Sequence, residues 1–316
     1  MSLLPVEAAH LLAARPAERR WLIEGLWAEE AVGIVGGEPK CCKSFLALDM
    51  AVAVASGTAC LRQFAVARPG RVLLFAAEDA LHVVRHRLDG ICRAAGVQLA
   101  DIDIQVITAP SVRLDVEADR KSLAETVAAL KPRLLILDPF VRLHRIDENV
   151  SGEVAPLLAY LRELQRRHQL AVVVVHHARK GASKARAGQA LRGSSEFHAW
   201  GDSNLYLRRV GEQLTLAVEQ RAAASTSGIA LRLHAEGEVV ALETTAEPAT
   251  NQAPEPAPDV EERVAQILLA ATAPLTVTEI RSLCRVRNST LHAALVALAA
   301  AGRVQRSATG YAITAK

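Results

Sequence analysis

The stretch that most restricts what this chain can fold into is Gly37, Glu38, Pro39, Lys40, Cys41, Cys42, Lys43 and Ser44. It lies between two apolar segments of different texture. AVGIV (31–35) is short and rich in Val and Ile, as a buried strand is, whereas FLALDMAVAVAS (45–56) is Ala-rich and has no breaker, as a helix is. Gly57 follows in the position where helices commonly end. A turn-rich octet between strand and helix fits the phosphate-binding pattern G-x-x-x-x-G-K-[ST] at every defined place but one. Backbone N–H groups of such a loop, with the helix N-terminus, hold phosphates. Lys43 is expected to reach β- and γ-phosphates and Ser44 to ligate Mg²⁺. Phe45, opening the helix, completes the nucleotide-binding stretch.

The exception is Cys42, which stands where the second glycine is usual. That glycine lets the backbone approach phosphate with no Cβ in the way. A cysteine there is either strained or accommodated by a slightly different loop. Cys41 and Cys42 also admit reading as a redox pair, although adjacent cysteines rarely satisfy disulfide geometry. The five cysteines, at 41, 42, 60, 92 and 284, show no metal-ligand spacing and no disulfide framework. They read as reduced, cytoplasmic thiols.

Further along, RVLLFAAED (71–79), DIQVIT (103–108), RLLILDPF (133–140) and LAVVVVHHARK (170–180) read as buried strands. Helical stretches at 80–96, 119–131 and 153–169 separate them. Uninterrupted apolar strands alternating with helices predict an α/β fold with a mostly parallel sheet covered on both faces. Apolar residues make up 51% and aromatics 3%, so the core must be aliphatic. Residues 1–30 read as a short helical lead-in with Trp21 and Trp27 packed on the core. After residue 193, SNLYLRRV, QLTLAVEQR, IALRLHAEG and EVVALET alternate in character and suggest antiparallel strands at the sheet edge.

Several strand ends carry polar groups. Asp138, closing LLILD, is placed to hold Mg²⁺ through water, the alternative being a capped turn. Glu78, at the end of VLLFAAED, is the candidate to orient and deprotonate an attacking water. Asp79 competes with it, or caps the following helix. At least one of His176 and His177 is a candidate γ-phosphate contact. The segment 178–195 holds Arg179, Lys180, Lys184, Arg186 and Arg192 with no acid and three glycines. It has the charge and suppleness of a loop gripping a nucleic-acid backbone without strong sequence preference, or of a solvated basic surface. The overall net charge of +3 argues for nothing by itself.

Taken together, GGEPKCCKSFLALDMAVAVASG, LLFAAED, LLILDPF, VVVVHHARKG and QALRGSSEFHAWGDSNLYL resemble the RecA-like P-loop ATPases of the plasmid RepA-type hexameric helicase group, over about residues 20–240. The resemblance implies a RecA-like P-loop NTPase core, ATP and Mg²⁺ as ligands, and a ring, usually of six subunits, with ATP between neighbours. It implies a catalytic glutamate at Glu78, a magnesium aspartate at Asp138 and a γ-phosphate sensor at His176/His177, of which His177 is the choice. It implies an arginine given to the neighbour's ATP at Arg192, and single-stranded DNA on the basic loop.

TTAEPATNQAPEPAPD (244–259) reads as a flexible Pro/Ala-rich linker, dividing a 1–243 ATPase domain from a 260–316 module. The latter reads as three helices and a hairpin, a small C-terminal winged helix-turn-helix domain. Arg285, Arg287 and Asn288 lie at its turn and the start of its recognition helix, where contact with duplex DNA is expected, docking to a protein being the alternative. Neither a leader nor a transmembrane span is expected. The function expected is ATP hydrolysis coupled to movement or remodelling on DNA, as a helicase or loader. The alternative is a nucleotide-dependent scaffold or DNA-binding regulator with slow hydrolysis.

Overall fold

Strands apolar at every position have no face to offer water, so they sit in the middle of a sheet with helices on both sides. The computed structural model shows this arrangement. It describes residues 20–177, 196–210, 213–237, 239–245, 260–271, 273–284, 288–307 and 310–314. The chain divides into two units, Met1–Ala249 and Thr250–Lys316.

In the first unit, β1 (Trp21–Ile23) and β2 (Trp27–Ala28) form a small antiparallel pair. There follow β3 (Val32–Gly37), α1 (Lys43–Ser56), β4 (Val72–Ala76), α2 (Leu81–Ala94), β5 (Ile104–Val106), α3 (Glu117–Leu130), β6 (Leu134–Asp138), α4 (Ser151–His168) and β7 (Ala171–His177). The unit continues with α5 (Glu196–Trp200), β8 (Ser203–Val210), β9 (Gln213–Gln220), β10 (Thr226–Glu236) and β11 (Val239–Thr244). One nine-stranded sheet runs in the order β11-β10-β9-β8-β3-β7-β6-β4-β5. From β8 to β5 all neighbours are parallel. From β8 to β11 they are antiparallel. The sheet is therefore mixed and mostly parallel, consistent with a RecA-like P-loop core.

Alternation along the strands feeds two cores. Val35, Leu74, Ile136 and Val173 meet Leu46, Met50 and Ile91 on one face. Ile34, Leu73, Leu135 and Val172 meet Leu123, Val127, Leu157 and Leu161 on the other. The antiparallel strands add Leu214, Leu216, Leu231 and Leu242 to the first core.

The lead-in departs from expectation: residues 20–30 hold the β1–β2 hairpin rather than a helix, and residues 1–19 lie outside the described residues. Trp27 is fully buried, and its indole N–H donates to the Ala31 carbonyl at 3.3 Å, whereas Trp21 is half-buried. A tryptophan satisfied by a backbone oxygen four residues on favours a tight turn over a helical stripe. Residues 246–259, most of the expected linker, also lie outside the description.

The second unit has α6 (Val260–Ala270), α7 (Val277–Cys284), α8 (Asn288–Ala300) and an antiparallel hairpin of β12 (Val304–Ser307) and β13 (Gly310–Ile313). Leu275, between α6 and α7, bridges to Tyr311. Val264, Leu268, Ile280, Leu291, Leu295 and Leu298 form its core. Asn288 opens α8, while Arg285 and Arg287 lie outside the described residues. Among the described residues no helix is long and apolar enough to cross a membrane. All five cysteines are free.

Candidate active site

Parallel pairing puts the C-terminal ends of β3, β4, β6 and β7 side by side, the edge at which open α/β sheets bind ligands. Gly37 is in register with His177 across β3 and β7, and Ala76 with Asp138 across β4 and β6. The edge opens into a cavity of about 250 Å³. Its walls bring together Lys40, Cys41, Cys42, Lys43, Ser44 and Phe45 of the loop with Glu78, Asp138 and His177 of the other strand ends. Arg87 and Val175 complete the lining.

Gly37 has φ 153°, and a Cβ there would stand 2.4 Å from the Leu207 carbonyl oxygen and 2.6 Å from Cys41 Sγ, so the position requires glycine. Gly37, Glu38 and Pro39 form the stem of the loop and are not among the cavity's lining residues. Two residues then turn left-handed without being glycine, Lys40 and Cys42, each at φ 64°. Cys42 is the N-cap of α1, with φ 64° and ψ 26°, and makes no side-chain capping bond. The main chain thus takes the conformation a glycine adopts freely, at a cost of about 1–2 kcal/mol for a side-chain-bearing residue. The Cys42 thiol accepts a hydrogen bond from Arg209 Nη2 of β8 at 3.2 Å.

Lys43 is only 5% exposed. Its ammonium donates to the Glu38 carbonyl at 2.8 Å. Burial lowers its pKa, against the opposing pull of Cys41 and Asp138. Burial pushes the Asp138 carboxyl up to about 6, Asp79 and Glu78 press the same way, and Ser44 and Lys43 oppose them. Burial raises the Cys41 thiol.

Glu78 lies in the bend after β4, and its Oε1 accepts from Arg142 Nε at 2.8 Å. Asp79 does not cap α2. It pairs with Arg87, and Ala80 occupies the N-cap without a side-chain bond. The Arg87 guanidinium lies 5.3 Å from the centroid of the Phe45 ring. The two histidines separate by strand alternation. His177 faces the cavity, and burial, then nearby Lys43, lowers its pKa and favours neutral imidazole. His176 is 1% exposed and stacks on Phe197, centroids 4.3 Å apart at 20°.

The donor set fits a magnesium nucleotide. Ser44 and Asp138 present two hard oxygens beside a helix N-terminus and a buried ammonium. Among the described residues no group of three or more His, Cys, Asp or Glu could hold a metal alone. Mg²⁺ typically takes only one or two protein oxygens together with substrate phosphates. Arg179, Lys180, Lys184, Arg186 and Arg192 lie outside the described residues. Sequence reasoning missed Arg87, Arg142 and Arg209, which belong to no motif. Only Arg87 carried a signal, its place on the first turns of a helix that follows the acidic strand end.

Comparison with known proteins bears on the fold and the family. A solved structure of a DnaB-like replicative helicase, described with its interactions with primase, superposes with a TM-score of 0.53 at 12% sequence identity. The match covers 67% of this chain and 57% of that one. The present chain therefore spans little more than half the length of that protein, and the likeness is one of fold. The family model described as "AAA domain" matches residues 1–183. That span exceeds half of the 316 residues and contains the phosphate loop, both acidic strand ends and His177, so the chain belongs to the AAA domain family of P-loop ATPases.

Proposed function

We propose that this protein hydrolyses ATP to move along or remodel DNA, as a ring-forming motor of the RepA-type helicase group. The observation that carries the reading is the cavity that brings buried Lys43 together with Ser44, Asp138, Glu78 and His177. In this reading the α1 N-terminus and loop amides bind the triphosphate of the substrate, and Lys43 neutralises its β- and γ-oxygens. Ser44 and, through water, Asp138 would hold Mg²⁺, which would supply neutralisation of phosphate charge. Glu78 orients the attacking water and takes its proton, and neutral His177 senses the γ-phosphate. Arg192 serves the ATP of a neighbouring subunit. Arg179, Lys180, Lys184 and Arg186 follow a DNA backbone by charge.

We assign residues 260–316, within the second unit and beyond the linker that follows β11, as a winged-helix module. Three helices, a hairpin and the Leu275–Tyr311 bridge support this. Arg285, Arg287 and Asn288 would then face duplex DNA.

One observation favours a second reading, a nucleotide-dependent scaffold with slow hydrolysis: the left-handed Cys42 puts a side chain where phosphate usually meets bare backbone. ATP turnover with and without single-stranded DNA separates the two. Stimulation supports the motor, and indifference supports the scaffold. Lys43→Ala is expected to abolish nucleotide binding, read by titration with a fluorescent ATP analogue. Retained affinity would defeat the site assignment.

A further inference from the structure

Three carboxylates crowd this cavity edge. Asp79 and Glu78 each press protons onto Asp138. Half-buried Asp79 and exposed Glu78 each have their own arginine, Arg87 for Asp79 and Arg142 for Glu78. The two pairs differ in what they hold. Asp79 does not line the cavity, whereas Glu78 does. Glu78 stands two residues beyond the last residue of β4, so no ladder bond fixes its direction, although Ala77 N–H still donates to the Asp138 carbonyl at 2.7 Å. What directs the side chain comes from 64 residues away. Arg142 closes the single helical turn Phe140–Arg142 that follows Asp138 and Pro139. That turn is bolted down. Phe140 and Leu143 are fully buried, the Leu143 N–H donates to the Phe140 carbonyl at 2.8 Å, and the Leu143 carbonyl accepts from the Leu114 N–H at 2.6 Å.

We propose that Arg142 is a positioning residue for the Glu78 carboxylate. It aims the group that orders the attacking water from the same turn that follows the magnesium aspartate. The inference rests on the ATPase reading above. The side chains are 61% and 43% exposed, so solvent screens the pair and it adds little to stability. Its effect is on aim. A rigid turn fixes the guanidinium relative to Asp138, and the guanidinium fixes the carboxylate. Misplacement of a reacting group by about 1 Å can cost on the order of 10²-fold in rate, and a loosened carboxylate that still visits its place costs less.

The test is steady-state ATP hydrolysis by the full chain. Arg142→Ala is expected to lower kcat roughly 5- to 50-fold while KM for ATP stays within about twofold and the thermal midpoint holds. Arg142→Lys should restore part of the loss, because an ammonium can still reach the carboxylate. In a Glu78→Gln background, adding Arg142→Ala should change nothing further, since residues acting as one unit are not additive. An unchanged kcat overturns the proposal, as does an additive loss in that background. A raised kcat also overturns it, by showing that the pair restrains Glu78 instead of aiming it. If the unsubstituted chain binds nucleotide yet turns none over, the ATPase reading falls and this inference with it. Turnover that Arg142→Ala leaves intact removes the inference alone.

Discussion

Cys42 shows how far a residue type can be read without its conformation. The sequence marks a side chain where glycine is usual. The structure shows the backbone turning left-handed regardless, with the thiol held by Arg209. Cys42→Gly is therefore expected to stabilise the protein by about 0.5–1 kcal/mol, with relief of the left-handed strain outweighing glycine's extra unfolded-state freedom. Denaturant midpoints at constant slope measure this. A loss of stability would show that the contact with Arg209 dominates. The histidine pair gives the same lesson. Adjacent residues of one strand face opposite sides, so only one of them can reach the cavity. Which one depends on the register of β7 against β3, in which Val172–Val175 pair with Val32–Val35 and the histidines with Gly36 and Gly37.

At the scale of elements, the central strands β4, β6 and β7 were legible as near-continuous apolar runs, and the helices as long stretches that Gly90 in α2 and Pro156 in the second turn of α4 do not end, whereas β8, expected among antiparallel edge strands, pairs parallel with β3. The strand order was not legible. The phosphate-loop strand β3 lies between β7 and β8, far from its sequence neighbour β4. The β3–β8 junction depends on one small residue. A Cβ at Gly33 would lie 1.8 Å from the Ser203 backbone oxygen and 3.1 Å from Asn204 Oδ1. Asn204 Oδ1 in turn accepts the Ile34 N–H at 3.1 Å. Gly33→Ala is expected to destabilise by about 3 kcal/mol or more, because backbone, not a mobile side-chain tip, must move. Thermal or urea unfolding reads this, and a change below about 1 kcal/mol would mean that β8 can slide away. The β1–β2 hairpin escaped notice because its strands are two and three residues long, too short for any periodicity to register.

For the molecule as a whole, the division into two units with separate cores suggests that the connecting stretch can be cut without unfolding either. Residues 244–259 contain no lysine or arginine and many small residues, so an elastase-type protease is the suitable probe. Brief digestion is expected to give two stable fragments ending near this segment, identified by mass. Cleavage scattered through the first unit would contradict the assigned boundary. By itself, the sequence determined the composition of the strands, the phosphate loop and the acids at strand ends, because these are local matters of hydrophobic period and turn chemistry. Only the tertiary structure decided that Glu78 meets Arg142 and that His177, not His176, faces the cavity. It also decided that Cys42 lies beside Arg209. Those pairings depend on strand order and register, which arise from packing summed over the whole sheet and leave no mark at the positions themselves.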